Sequence, residues 1–281
     1  MKPDLLNGEI RPTLVGMTIP MMLGIVSLML FNLVDSYFVS QLGTAQLAAL
    51  GFTFPVSFTV ISLSIGLSIG TSATLAKLIG AGNTTEARQL TTDNLLLTTL
   101  LMLAISMLAV QLIGPLFGLL GAGDELLPYI DDYMSVWFLG APFYVLIMVS
   151  NSSLRASGDT KTPAMIMALS SVLNLLLDPL LIFGWGVVPA LGIQGAAIAS
   201  VIAWGITALL ALHNLYARKG LLVFRLESVS VALRHWLMVM KIGFPAALSN
   251  MMTPIAAAIM TAVVATHGPE AVAAFGVGNR L

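Results

Sequence analysis

Residues 15–41 read VGMTIPMMLGIVSLMLFNLVDSYFVSQ, an apolar run with a single charged side chain, Asp35. A bilayer core is about 30 Å thick and is crossed by roughly 17–25 apolar residues in a helix. This run is long enough to cross it. The same ruler places spans near 47–79, 94–120, 129–153, 163–186, 191–215 and 237–266, and an eighth begins near Ala271 and is cut off at Leu281. The second run exceeds what a perpendicular helix needs, so tilt and an overhang near Lys77 are expected. The whole chain is 58% hydrophobic and 9% charged, with a mean hydropathy of +0.96. A soluble domain carries about 25% charged residues, so this chain cannot cover a water-facing surface. It reads as an all-α integral membrane protein, a bundle of long helices joined by short polar loops.

The net charge of −1 says little because the charges are segregated. Lys2 and Arg11 precede the first span, Lys77 and Arg88 join the second to the third, and Arg155 and Lys161 join the fourth to the fifth. Arg218, Lys219, Arg225, Arg234 and Lys241 surround the connection from six to seven, and Arg280 follows the start of the eighth. With alternating spans, all 12 Lys and Arg fall on one face. The other face holds Gln41–Gln46, Asp124 with Glu125, Gly184–Pro189 and His267–Glu270. The positive-inside rule makes the basic face cytoplasmic and puts the N-terminus inside. The first run is too long for a signal-peptide core and lacks a small-residue cleavage pattern, so it is expected to stay as an anchor. There is no cysteine, which excludes disulfides and thiol chemistry. His213, His235 and His267 lie far apart at expected loop edges, which argues against a metal cluster.

Segment 216–236, YARKGLLVFRLESVSVALRHW, mixes basic with apolar residues. It reads as a linker on the inner leaflet, or as the end of span six plus an ordinary loop. Either way it divides the chain into 1–215, the linker 216–236, and 237–281. Residues 18–55 also align without a gap onto 243–280. Pro20 matches Pro245, Leu23 matches Leu248, Gly43 matches Gly268, Ala48 and Ala49 match Ala273 and Ala274, and Gly51 matches Gly276. Each copy puts a proline near the start of a long helix and a glycine in the tight loop after it. Six spans lie between the copies, so both share one orientation, the pattern of parallel repeats in a two-lobed transporter of about twelve spans. On that arithmetic the chain stops early in its second lobe.

Thirteen Asp and Glu are present, and eleven fall in expected loops or span ends. Asp35 and Asp178 do not. An ionised carboxylate in hydrocarbon costs about 2.5–3.5 kcal/mol on insertion scales, so retaining two calls for a polar cavity, a bound cation or protonation. Asn174 precedes Asp178 by one helical turn and shares its face. Pro179 removes a backbone donor beside it. Asn32, three before Asp35, can share that acid's face. One reading is a cation or proton site. The other is structural, acids and amides bonding helices together. Pro20 is a static kink or a hinge. Tyr133 and Asn151, in or at the end of span four, face a cavity or the interface, aromatic belts favouring the interface for Tyr133. The 16 Met are chiefly apolar fillers, although flexible Met surfaces suit promiscuous binding.

Several motifs together resemble one known family. They are PMMLGIVSLMLFNLVDSYFVSQLG with AALGF, then AKLIGAGNTTEARQ, LRASGDTKTPAM and NLLLDPLLIFGWG. The chain resembles the multidrug and toxic compound extrusion (MATE) transporters over essentially its whole length. RASGDTKTP combined with the Asn–x3–Asp–Pro element is the specific part. The resemblance implies twelve helices in two six-helix lobes around a central cleft, with 1–215 the first lobe and 237–281 the start of the second. An acid in span one with Asn and Asp on span five is similar to the DinF-like branch. On that resemblance Asp35 is the cation or proton acceptor, Asn174 and Asp178 its partners, and Pro20 the bending point. Tyr133, Asn151 and Ser200 are implied as cavity lining. Ala196 stands where a threonine hydroxyl is expected, which weakens a sodium site and favours protons.

The function implied is a cation-coupled antiporter, not an enzyme, that exports cationic or amphipathic organic compounds by alternating access. Protons or sodium are the coupling ion, with no other cofactor and no metal centre. A monomer in a bacterial or archaeal plasma membrane is expected, with no nucleic-acid partner. A lipid-linked precursor or polysaccharide flippase is the alternative, but its anionic headgroups call for intramembrane Lys or Arg. An intramembrane aspartyl protease needs a Gly-x-Gly-Asp element, whereas Leu175, Leu176 and Leu177 precede Asp178. A channel fits a proline-bent repeat less well than alternating access does.

Overall fold

The computed structural model describes residues 10–186, 188–223 and 228–278. Lys2, Arg225, Arg280, residue 187 of the loop Gly184–Pro189 and the end of the chain lie outside them. The helices are α1 (Ile10–Ser40), α2 (Thr44–Gly80), α3 (Thr84–Gln111), α4 (Ile113–Leu119), α5 (Leu127–Ala156), α6 (Lys161–Ile182), α7 (Ile193–His213), α8 (Val229–Ala265) and α9 (Pro269–Gly278). Seven are long and apolar enough to cross a bilayer. A π turn, Asn214–Arg218, extends α7.

The helices follow the expected spans, with two corrections. The third span, expected over 94–120, begins ten residues earlier and stops at Gln111. Its polar first turns are helical because Asn83 caps them, its side chain accepting from the Glu86 N–H at 3.4 Å. Its end is set by Pro115, whose missing N–H is tolerated in the first turn of α4 but not inside a longer helix. This shift brings Asp93 into a helix and buries it, so a third acid joins the two expected inside the bundle. The second correction concerns 216–236. The last long helix starts at Val229, so His235 is a buried helical residue and not a loop-edge one. The described start of the connection, up to residue 223, is tied down. Lys219 pairs with Asp159 at 3.0 Å, and the Val223 N–H donates to the Thr92 hydroxyl at 3.0 Å.

Helix α5 is the centre of the bundle, packed against α2, α3 and α7. Within its most apolar stretch 67% of residues are buried, against 11% for α1, which packs on α6 and turns Met22, Ile25 and Met29 outward. That exposed apolar face needs lipid, since lipid tails cost it nothing. Gly24 brings α1 close to Ala164 and Met167 of α6, and the Ser171 hydroxyl donates to the Ser27 carbonyl.

The repeat is visible in three dimensions. Gly43 and Gly268, which correspond, both end tight turns at positive φ (137° and 100°) that a side chain would strain. Gly51 and Gly276, also corresponding, meet face to face where α2 crosses α9; a Cβ on Gly276 would lie 2.5 Å from the Gly51 Cα. Further along α2, Gly66 and Gly70 lie against Ala247 and Gly243 of α8. Helices approach this closely in membranes when small residues line the contact.

Candidate functional site

Four helices, α1, α2, α5 and α7, enclose a cavity of about 160 Å³. Helix α1 contributes Phe31, Asn32 and Asp35, and α2 contributes Phe54, Ser57 and Phe58. Tyr133, Trp137 and Tyr144 come from α5, and Ser200 and Trp204 from α7. Asp35 is the one charged residue among the lining residues described, and no Lys or Arg reaches the wall.

Asp35 is 3% exposed, and the Tyr133 hydroxyl donates to its Oδ2 at 3.2 Å. Ninety-eight residues separate the two, so this bond fixes α1 against α5 at the cavity wall. Asp178 lies one layer behind, fully buried on α6. Asn174 Nδ2 donates to Asp178 Oδ1 at 2.9 Å and reaches the Ser200 hydroxyl at 3.5 Å. Ser200 therefore joins the lining to the buried Asn–Asp pair, and it supplies a hydroxyl one turn after Ala196. Asp178 is within electrostatic reach of Asp35. The second oxygen of Asp178 and the side-chain oxygen of Asn174 have no hydrogen-bond partner among the described residues. Burying such groups costs energy unless something satisfies them, and these two oxygens leave this corner with acceptors to spare.

The residues singled out from the sequence divide accordingly. Asp35, Tyr133 and Ser200 line the cavity, while Asn174 and Asp178 back it through Ser200. Asn151 is buried in α5 and is not a lining residue; both its amide atoms lack a hydrogen-bond partner among the described residues. Pro20 is internal to α1, which continues unbroken through it to the acid. Tyr133 is 4% exposed, inside the bundle and not in an interfacial belt.

The aromatic walls were not anticipated. Phe31 and Trp204 stack with centroids 6.2 Å apart and planes at 14°, and Trp137 and Tyr144 meet Trp204 edge-on at 5.7 and 5.3 Å. Two signals for them exist in the sequence. Tyr133, Trp137 and Tyr144 sit at i, i+4 and i+11 on α5, and Phe54 and Phe58 at i and i+4 on α2, spacings that put each set on one helical face. The cavity thus offers flat π faces, one carboxylate and several hydroxyls, a combination that attracts organic cations and flat rings.

Comparison with known proteins gives a consistent picture. A family model described as MatE matches residues 20–180. The chain is 45% identical over 277 residues to a protein of Shewanella oneidensis named FAD transporter, covering 99% of this chain and 61% of that one. It is 28% identical to a probable multidrug resistance protein NorM of Thermotoga maritima, covering 96% and 58%. Among solved structures, the D35N mutant of the Vibrio cholerae MATE transporter VcmN superposes with a TM-score of 0.84 at 35% identity, covering 96% of this chain and 60% of that one. A MOP superfamily transporter from Pyrococcus furiosus gives 0.78 at 32% identity, covering 88% and 54%. The chain spans about three fifths of the length of the curated relatives it matches.

Proposed function

The chain belongs to the MatE family, whose members are transporters and not enzymes, and on that premise we propose that it works in a cation-coupled antiporter that exports organic compounds by alternating access. Residues 1–215 form the first lobe and 237–281, together with the turns of α8 from Val229 that lead into them, the start of the second. The basic end faces the cytoplasm of a bacterial or archaeal cell, N-terminus inside. The protein acts as a monomer.

The observation that carries this reading is the placement of Asp35. A lone carboxylate on an aromatic wall, backed by a second acid within electrostatic reach, offers one negative charge to two classes of guest. A proton bound there neutralises it, and so does an organic cation held against Trp204 and Phe31. Only one can occupy it at a time. Mutual exclusion at one charge is a coupling free energy between proton and substrate, and it has the sign antiport requires. Protons are preferred to sodium because Ala196 stands where a threonine hydroxyl is expected, leaving Ser200 as the α7 hydroxyl at this corner. Protonation would loosen the hold of Asp35 on Tyr133 and let α1 bend at Pro20, shrinking the cavity and expelling the substrate.

The test is transport by the protein at its full natural length in liposomes, with pH and sodium gradients imposed separately. Uptake of a cationic dye should follow the pH gradient, and Asp35→Asn should abolish it while leaving folding intact. Transport retained by Asp35→Asn, or driven by sodium alone, overturns the proposal or its choice of ion.

A second substrate reading is favoured by the stacked pair Phe31–Trp204 and by the 45% identity to a relative named FAD transporter. A flavin ring is flat and would slot against those faces. Its phosphates would have to remain outside, since no Lys or Arg is among the described lining residues. Flavin adenine dinucleotide belongs in the same liposome assay, and competition between it and the dye would place both at one site.

A further inference from the structure

The third buried acid, Asp93, takes no part in the cavity and joins α3 to α8. Its Oδ2 lies 2.7 Å from Nδ1 of His235, and the other ring nitrogen, Nε2, is 4.0 Å from Glu86 Oε1. Asp93 is 3% exposed and His235 1%. Leu75 of α2, Ala87 and Leu90 of α3 and Val239 of α8 form a small apolar cluster of their own beside them, separate from the main core. Glu86 is held in place by its neighbour, Asn83 Nδ2 donating to Oε2 at 2.5 Å, which leaves Oε1 for the histidine. Among the described residues these are the acid–histidine contacts that tie α8 to α3.

Its location is as informative as its chemistry. Glu86 is in the first turn of α3 and His235 in the second turn of α8, so the cluster sits at the end of the bundle where the basic loops gather. The contact beside it, Gly66 and Gly70 of α2 against Ala247 and Gly243 of α8, is made of small residues without interlocking side chains. The histidine and its acids are the directional contacts at this end of the joint, and further along α8 the Ser62 hydroxyl of α2 donates to the Asn250 carbonyl at 3.3 Å.

We propose that Asp93, Glu86 and His235 form a latch that closes the basic end between the two lobes and must release for that end to open. This rests on the alternating-access reading above. The physical reason lies in what a buried polar pair costs. Two such groups taken from water regain in mutual attraction roughly what they lost in hydration, so separating them into water is nearly neutral. An apolar contact resists opening in proportion to the area it buries. A histidine between two acids therefore holds one alignment without making the joint permanent. Removing one partner alone has the opposite effect: it leaves an acid buried without its counterpart, and water must enter to relieve it.

The experiment uses the protein at its full natural length in lipid nanodiscs. The 281 residues contain no cysteine, so spin labels at Thr85→Cys and Arg234→Cys, both exposed near the latch, report the α3–α8 distance within them. In wild type the short distance should dominate. His235→Ala should move most of the population to a longer one, and Asp93→Asn, which keeps an acceptor for the ring, should retain the wild-type distribution. In a second arm, Asp93→Cys with His235→Cys is bridged by a short bis-methanethiosulfonate. Dye transport should fall at least roughly tenfold and return on reduction, as expected when one of two states is removed. An unchanged distance in His235→Ala, or undiminished transport by the bridged protein, overturns the latch. If His235→Ala fails to fold, the bridged pair decides. Wild-type protein that moves no dye or flavin defeats the transporter reading instead, and the distance measurement still reports on the joint.

Discussion

Asp35 and Asp93 are buried to the same degree, each 3% exposed, and each lies in a long helix. Their surroundings differ in two respects. Asp93 has a basic partner in direct contact, His235 at 2.7 Å, and apolar residues packed beside it. Asp35 has a phenol at 3.2 Å, a second acid within reach and a cavity of about 160 Å³ beside it. The comparison teaches that burial alone does not mark an exchange site. An acid packed against a histidine in apolar surroundings ties two helices together, whereas an acid beside a hollow lies within reach of whatever enters it.

The strongest way to break this comparison is to make the same change at both. Asp35→Asn removes the one charge among the described lining residues and should lower transport by about 100-fold, the scale of a strong coupling term. Asp93→Asn keeps a hydrogen-bond acceptor for His235 and weakens one charge-assisted bond by about 1 kcal/mol, so transport should fall by less than about tenfold. Equal losses in the liposome assay would show that the two acids do the same work.

The next effect sharpens the sealed side. A Cβ on Gly66 would stand 2.5 Å from the Cβ of Ala247, with backbone close behind it, whereas Gly80, at the end of the same helix, has open space around it. Gly66→Leu should therefore destabilise the protein by about 1–3 kcal/mol, the usual cost of overpacking. Gly80→Ala should be neutral within about 0.5 kcal/mol. Thermal unfolding in detergent measures both, and a Gly66→Leu protein as stable as wild type would mean that α2 and α8 are not in contact in solution. On the open side, Trp204→Leu keeps an apolar side chain but loses the π face shared with Phe31, Trp137 and Tyr144. Binding of a cationic dye should weaken about tenfold, near the upper range for a desolvated cation–π contact. An unaltered dissociation constant would take the aromatic walls out of substrate recognition.

The two regions were unequally legible in the sequence, for a physical reason. Spans, the alternation of basic loops and the lone acids of α1 and α6 are local facts about hydropathy, and each can be read within one helix. The turn glycines Gly43 and Gly268 and their repeat were legible too, because only a positive φ makes glycine obligatory. Asp93 was hidden by a boundary. The polar residues before it looked like a loop, and only the Asn83 cap makes them helical. His235 was hidden by distance, since its partner is 142 residues away and nothing local distinguishes a buried histidine from a loop one. The aromatic walls fall between these cases. Each helix shows its own facing pair, but the cavity exists only where four helices converge.

The smallest expected effect concerns an acid outside the bundle, Asp159, which lies in the loop between α5 and α6 and is partly exposed. Burial works against its charged form, but the Thr162 N–H and hydroxyl and the Lys219 ammonium outweigh that, holding its carboxyl below the usual aspartate range. The sign follows from linkage. A carboxyl easier to ionise in the folded state adds stability above its unfolded value, and that increment is lost as pH falls through the folded one. Because the pair is reached by solvent, the increment should be only about 0.2–1 kcal/mol and should shrink in high salt. Asp159→Asn should lower the unfolding temperature slightly at neutral pH. The gap should close well below the ordinary aspartate range, where the wild-type carboxyl has also lost its charge. A gap that stays constant with pH would assign the increment to the neutral hydrogen bonds of Thr162. The linker would then be tethered at this end by the Val223–Thr92 bond and not by charge.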